Sequence, residues 1–258
     1  MPPGASGSAG AEQQVFESHK MRMRELAREF AARQPVLEPH ALAEGLGARL
    51  AYTDLGERDG AYDPEHSVIL INQTHSPQRQ RFTLAHEVSH ALLLGDEDLL
   101  SDLHDAFEGD ALEQAIETLC NVGAATILIS DEELRGAVER HGASGAAIAD
   151  VARRADVSAA VALYALADFV KTPTVFAVCT GGHNRPLVVQ SSASTVSMRY
   201  SLRPGTPIPE GHPIDTAFRT GLPIEEASYF PFRSGKKMPA FVTAYPLKAR
   251  VLCSFEER

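Results

Sequence analysis

Five consecutive residues, His86-Glu87-Val88-Ser89-His90, constrain this 258-residue chain more than any other feature, because the stretch around them reads as one uninterrupted helix. Ser76 is placed to cap its start, Pro77 occupies the first helical position and Gly95 stands just past the end. Side chains four apart share a helix face, so His86 and His90 point the same way and can hold one metal ion. Glu87 sits about 100° around the helix, where it can reach a water at the metal without being a ligand. Phe82, Leu84, Ala85, Val88, Leu92 and Leu93 make the segment largely apolar. Polar groups buried in such a helix are costly unless paired or bound. The pattern is that of a metal-dependent hydrolase, with a Lewis acid and a carboxylate base.

Catalytic zinc commonly keeps three protein donors and one open position, so a third donor is expected downstream. Residues 96–110 read as an acidic loop with Asp96, Asp98, Asp102, His104, Asp105 and Glu108. Residues 111–129 read as a second helix with a core stripe of Leu112, Ile116, Leu119, Gly123 and Ile127. Glu117 borders that stripe, with Asn121 one turn on. It is the favoured third donor, ahead of Glu113 and His104; an ordinary solvated glutamate is the plainer alternative.

These stretches resemble the ImmA/IrrE-type metallopeptidases. Ile69-Leu70-Ile71-Asn72 followed by the run from Ser76 to His90 looks like that family's strand, "RxRFTLAHExGH" helix and metal site. The stretch from Glu117 through Asn121 to Leu128 is similar to its "ExxAN" helix, whose glutamate is the third ligand. Ser89 stands where glycine is usual, Cys120 where alanine is common, and Gly123 and Ser130 where phenylalanine and proline are usual. The order of segments looks most like the long members that act in radiation and desiccation response. The resemblance implies a zincin-like α+β domain with zinc held by His86, His90 and Glu117, and Glu87 as catalytic base. It also implies a GAF-like C-terminal sensor domain. The implied substrate is a helix-turn-helix repressor whose cleavage turns on DNA-damage genes.

A hydrophobic content of 44% supports real cores, and no apolar run approaches the ~18–20 residues of a membrane span. Residues 1–14 carry neither a basic leader nor an apolar core and read as a flexible tail. The three cysteines, Cys120, Cys179 and Cys253, are far apart in apolar settings and read as reduced core residues of a cytoplasmic protein. Charge is uneven. Residues 1–170 hold 13 Lys/Arg against 28 Asp/Glu, whereas residues 171–258 hold 11 against 6. An acidic catalytic half repels nucleic acid and favours a basic protein substrate, although solubilising charge looks the same.

The pattern divides the chain into a peptidase unit (15–130), a helix-turn-helix-like unit (131–170) and a small α+β unit (171–258), the last being the sensor domain that the resemblance implies. In the first, residues 16–30 read as an amphipathic helix, and 47–53 and 67–72 as strands. The 67–72 segment is either a core strand or an exposed strand that takes substrate as an added strand. Residues 146–167 resemble two helices joined at Val157-Ser158. The would-be recognition helix, 158–169, carries only Asp168 as charge and no Arg, Lys, Asn or Gln. Direct specific DNA binding is therefore not expected. In the last unit, 175–180, 187–191, 196–201, 240–245 and 249–255 read as strands and 212–219 as a helix. Arg199, Arg203, Lys236 and Lys237 there permit an anionic or small-molecule signal, or are plain basic surface.

The reading is a site-specific metalloendopeptidase of α+β class, with zinc as the simplest ion and manganese also accepted by two histidines and a glutamate. Tyr52, Tyr62 and His104 are candidates for stabilising the oxyanion. The competing reading is a transcriptional regulator that acts through its own helix-turn-helix, with a structural metal.

Overall fold

In a computed structural model, which describes residues 8–34, 36–182 and 185–257 and their side chains from residue 15, the chain divides into two compact units between Leu128 and Ile129. The first contains α1 (Ser8–Ala32), α2 (Pro39–Gly45), β1 (Arg49–Thr53), β2 (Gly60–Asp63), β3 (Val68–Asn72), α3 (Pro77–Leu94), α4 (Glu97–Ala106) and α5 (Gly109–Leu128). Of the tail read over residues 1–14, residues 1–7 lie outside the described residues, and from Ser8 the chain is helical.

The motif helix α3 starts and stops where its caps dictate. The Ser76 hydroxyl accepts from the Arg79 amide, and the Gly95 amide donates to the Ala91 carbonyl. α3 packs on the three-stranded sheet along one side and on α5 along another. Sheet order is β1-β3-β2, with β1 parallel and β2 antiparallel to β3. The 67–72 segment is thus the central strand, paired on both sides, with Ile69 and Ile71 fully buried. Its core-strand reading is the correct one, because none of its ladder remains open to a substrate. β2, whose GAYD sequence has too little alternation to read as a strand, is an edge of the sheet and packs against α3.

The acidic loop read over 96–110 is also corrected. Asp96 caps α4 by accepting from the Leu99 amide, Glu97 and Asp98 fill the first turn, and Leu99 and Leu103 are buried four apart. Acids in a first turn oppose the positive end of the helix dipole and favour helix. They hid the apolar spacing from a reading of composition.

The second unit holds α6 (Asp131–His141), α7 (Gly145–Arg154), α8 (Ala159–Phe169), β4 (Thr174–Gly182), β5 (Arg185–Ser194), α9 (Pro213–Thr220), β6 (Ile224–Pro231), β7 (Lys237–Leu247) and β8 (Arg250–Glu257). Ser130 and Glu133 form a reciprocal capping box at α6, and Ser158 caps α8. Asp150 on α7, 8% exposed, accepts from Arg140, Arg153 and Arg154 at 2.6, 2.7 and 3.0 Å. The five strands are antiparallel in the order β5-β4-β8-β7-β6. Phe230 stacks on both Phe232 and Phe255 in the core. Residues 196–201, read as a strand, are a turn at 196–197 followed by irregular chain, where Ser194 donates to the Tyr200 carbonyl and Ser192 to that of Leu202. β6 was not anticipated, since an edge strand needs one covered face only and Glu225 and Glu226 mask its pattern. Cys120, Cys179 and Cys253 are free and buried. Among the described residues no helix is long and apolar enough to cross a membrane. The architecture is mixed α+β.

Candidate metal centre

One turn of α3 and the middle of α5 bring three donors together. His86 Nε2 and His90 Nε2 are 3.1 Å apart, and the Glu117 oxygens lie 3.3 Å from the first and 3.4 Å from the second. Helical spacing supplies the histidine pair, and the crossing of α3 with α5 supplies the glutamate. Zinc–nitrogen bonds of about 2.0–2.1 Å in a tetrahedron place neighbouring donors about 3.3 Å apart. The observed triangle has that size. A charged hydrogen-bonded knot would be tighter, about 2.7–2.9 Å. The donor set of two imidazoles and a carboxylate therefore fits a divalent ion.

The electrostatics agree with that fit. Burial lowers the basicity of His86 against the opposing pulls of Glu117 and Asn121. Burial and the neighbouring His86 lower that of His90. Both rings are thus held neutral, the form that binds metals. His86 Nδ1 is buried without a hydrogen-bond partner. Glu113 lies a turn earlier on α5, exposed, and His104 lies exposed on α4; neither joins the donor triangle.

Glu87 stands beside this triangle and outside it. It is 9% exposed, and burial together with the Glu117 charge pushes its carboxyl up to about 7. Its surroundings come from β2. A β-carbon on Gly60 would lie 2.6 Å from Thr83 Cγ2, 3.0 Å from the Leu70 carbonyl oxygen and 3.1 Å from Glu87 Oε1. The Tyr62 backbone amide acts against that rise and favours the ionised carboxylate. The Asn72 amide donates to the Asp59 carbonyl, and antiparallel pairing alternates. The backbone groups of Gly60 and Tyr62 therefore face away from β3. By strand alternation the Tyr62 side chain shares the α3-facing side with Gly60, whereas Tyr52 is exposed on β1. Neither Gly60 nor the Tyr62 amide carries a signal in the sequence, because both act through backbone placed by pairing.

Glu117 also borders an open groove of about 470 Å³ along α5, lined by Asp110, Glu113, Gln114, Thr118 and Asn121. Cys120 behind it is inert: burial, then the Glu117 and Glu87 charges, push its thiol up.

The sequence model of the IrrE N-terminal-like domain (Peptidase_M78) matches residues 43–167. The radiation response metalloprotease IrrE of Deinococcus deserti is 54% identical over 246 residues, covering 92% of this chain and 88% of that protein. The protein of the same name from Deinococcus radiodurans is 49% identical over 254 residues, covering 92% of this chain and 77% of its own length. A Mycobacterium tuberculosis transcriptional regulator shares the fold, with a TM-score of 0.65 over 95% of this chain and 80% of that one at 17% identity. On sequence likeness across nearly its whole length, the chain belongs to the IrrE family of radiation response metalloproteases.

Proposed function

We propose that the chain is a metal-dependent endopeptidase with the ion held by His86, His90 and Glu117. The observation that carries this is the donor triangle, with sides of 3.1 to 3.4 Å, next to a buried carboxylate that is not part of it. Zinc is the simplest occupant, and manganese is also compatible with these donors. Bound there, a divalent ion supplies Lewis acidity toward a peptide carbonyl and toward water. Glu87 takes a proton from the attacking water as its oxygen bonds to the carbonyl carbon. It then delivers that proton to the leaving nitrogen as the C–N bond breaks. A carboxyl poised near neutrality suits both transfers, and positive charge at the triangle favours its ionised form. The Tyr62 amide and the space at Gly60 orient the carboxylate. The outward Gly60 groups and the Tyr62 carbonyl of β2 are suited to receive an extended peptide as an added strand. The acidic groove along α5 suits a substrate with basic side chains.

The substrate we favour is a basic helix-turn-helix repressor, cleaved to switch on DNA-damage, radiation and desiccation response genes. The radiation-response name of the Deinococcus relatives and the acidic charge of residues 1–170 support it. Three functional parts follow the sequence boundaries: a peptidase part (15–130), a helix-turn-helix-like part (131–170) and a GAF-like sensor part (171–258) receptive to a small or anionic signal. α8 carries no cationic or amide side chain, so it serves as packing or docking scaffold and does not read DNA. The setting is cytoplasmic.

The test incubates purified protein with zinc and a candidate repressor. Wild type cleaves at one bond, and Glu87→Gln retains the metal while cleavage falls by about 10²–10⁴-fold. Near wild-type cleavage by Glu87→Gln sinks the general-base role.

A further inference from the structure

We infer that Gly123 on α5, by carrying no β-carbon against Ser89 on α3, lets the two helices approach as closely as the three donors require, which makes Gly123 a positioning residue for the metal. This inference rests on the metal-site reading above. A β-carbon at Gly123 would lie 2.6 Å from Ser89 Oγ and 2.9 Å from Ser89 Cβ, and it would run into Met23 Cε of α1. The Met23 methyl ends a flexible side chain and can turn away. Ser89 Cβ is fixed to the α3 backbone, so a side chain at position 123 has to push the two helices apart. Ser89 is fully buried and donates its hydroxyl to the Ala85 carbonyl of its own helix at 2.8 Å. Its hydrogen bond is thus satisfied within α3, and what it offers α5 is its size.

The same two helices carry the donors. Ser89 sits three residues after His86 and one before His90, and Gly123 lies six residues beyond Glu117, about 9 Å along the helix. Recovering an ordinary carbon–carbon contact of about 3.5–4.0 Å takes a shift on the order of 0.5–1 Å. Coordination distances hold to within about 0.2 Å. A displacement that packing absorbs is therefore one that the triangle of donors does not. Local propensity points the other way, since alanine is the better residue inside a helix. A loss on Gly123→Ala would have to come from the crossing.

The test uses the full chain, stripped with chelator and titrated with Zn²⁺ against a chromophoric competitor, with circular dichroism recorded alongside. Wild type, Gly123→Ala, Ser89→Gly and the double variant are compared. Wild type and Ser89→Gly bind about one zinc per chain. Gly123→Ala binds about tenfold more weakly or worse with its helix content intact. The double variant returns to near the wild-type affinity, because the β-carbon and hydroxyl in the way are gone. If Gly123→Ala does not fold, recovery of both fold and zinc affinity in the double variant supports the same conclusion. Wild type without zinc affinity overturns the metal-site reading and this inference with it. Wild-type affinity in Gly123→Ala overturns the inference alone, and so does a loss that Ser89→Gly fails to restore.

Discussion

Two polar clusters in this molecule, one around Asp150 and one around Glu117, differ in how their carboxylates are matched. Around Asp150, burial alone would raise the carboxyl, but the guanidiniums of Arg140, Arg154 and Arg153 overcome it and hold the group well below its usual range. All three guanidiniums share that one carboxylate. Around Glu117, burial lowers the basicity of two histidines and, with Glu117, raises Glu87. Among the described residues, the groups that meet there are two imidazoles and a carboxylate, all lone-pair donors. The first is a finished structural knot. The second is a set of donors that a cation would hold together, the kind of departure from ordinary polar pairing that marks a candidate functional site.

The comparison breaks most visibly at the histidines. His90→Ala should lose the bound divalent ion and all cleavage, while Asp150→Ala keeps about one ion per chain; elemental analysis of both variants decides it. Retained metal in His90→Ala would show that the triangle is as self-sufficient as the Asp150 knot.

Glu87 sharpens the contrast through pH. Its folded value of about 7 exceeds the ordinary 4.5, so ionising it opposes folding. In metal-stripped protein the stability associated with Glu87 is full below 4.5 and lost as pH rises through 7. The loss is on the order of 3 kcal/mol. Glu87→Gln should lack this decline, and the difference between urea unfolding curves of the two proteins at pH 5 and pH 8 isolates it. Identical pH trends would place Glu87 in an ordinary solvated environment.

At Asp150 the sign reverses. A depressed carboxyl adds stability above its ordinary 3.8, lost as pH falls through the lower folded value. Asp150→Ala should cost roughly 1–3 kcal/mol near neutral pH, less than for a fully buried pair because the arginines reach solvent. Chemical denaturation measures it, and an unchanged midpoint would reduce the knot to decoration. Smallest of all, Glu113→Ala should leave metal content unaltered where Glu117→Ala loses it. The opposite order would move the third donor one turn along α5.

Much of the site was legible because its determinants are local. The caps Ser76 and Gly95, the apolar run between them and the four-residue spacing of His86 and His90 need no tertiary information. Local pattern failed where charge or brevity concealed it: at α4, whose first-turn acids resemble a loop, and at β6, whose glutamates lie on an edge. It also left 67–72 open between edge and centre, since neighbours in a sheet are chosen by partners distant in sequence.

By itself the sequence determined that one helix presents two histidines and an adjacent glutamate, because helical periodicity follows from the backbone. It also determined the type of that third group, though not its environment. Tertiary structure decided that β2 is the strand lying on Glu87, that Glu117 rather than Glu113 meets the histidines, and that Ser89 and Gly123 touch. Those last two residues are separate departures from the family pattern when read along the chain. They become one contact only when α3 and α5 cross, because close packing couples side chains by volume, and volume carries no periodic signature in a sequence.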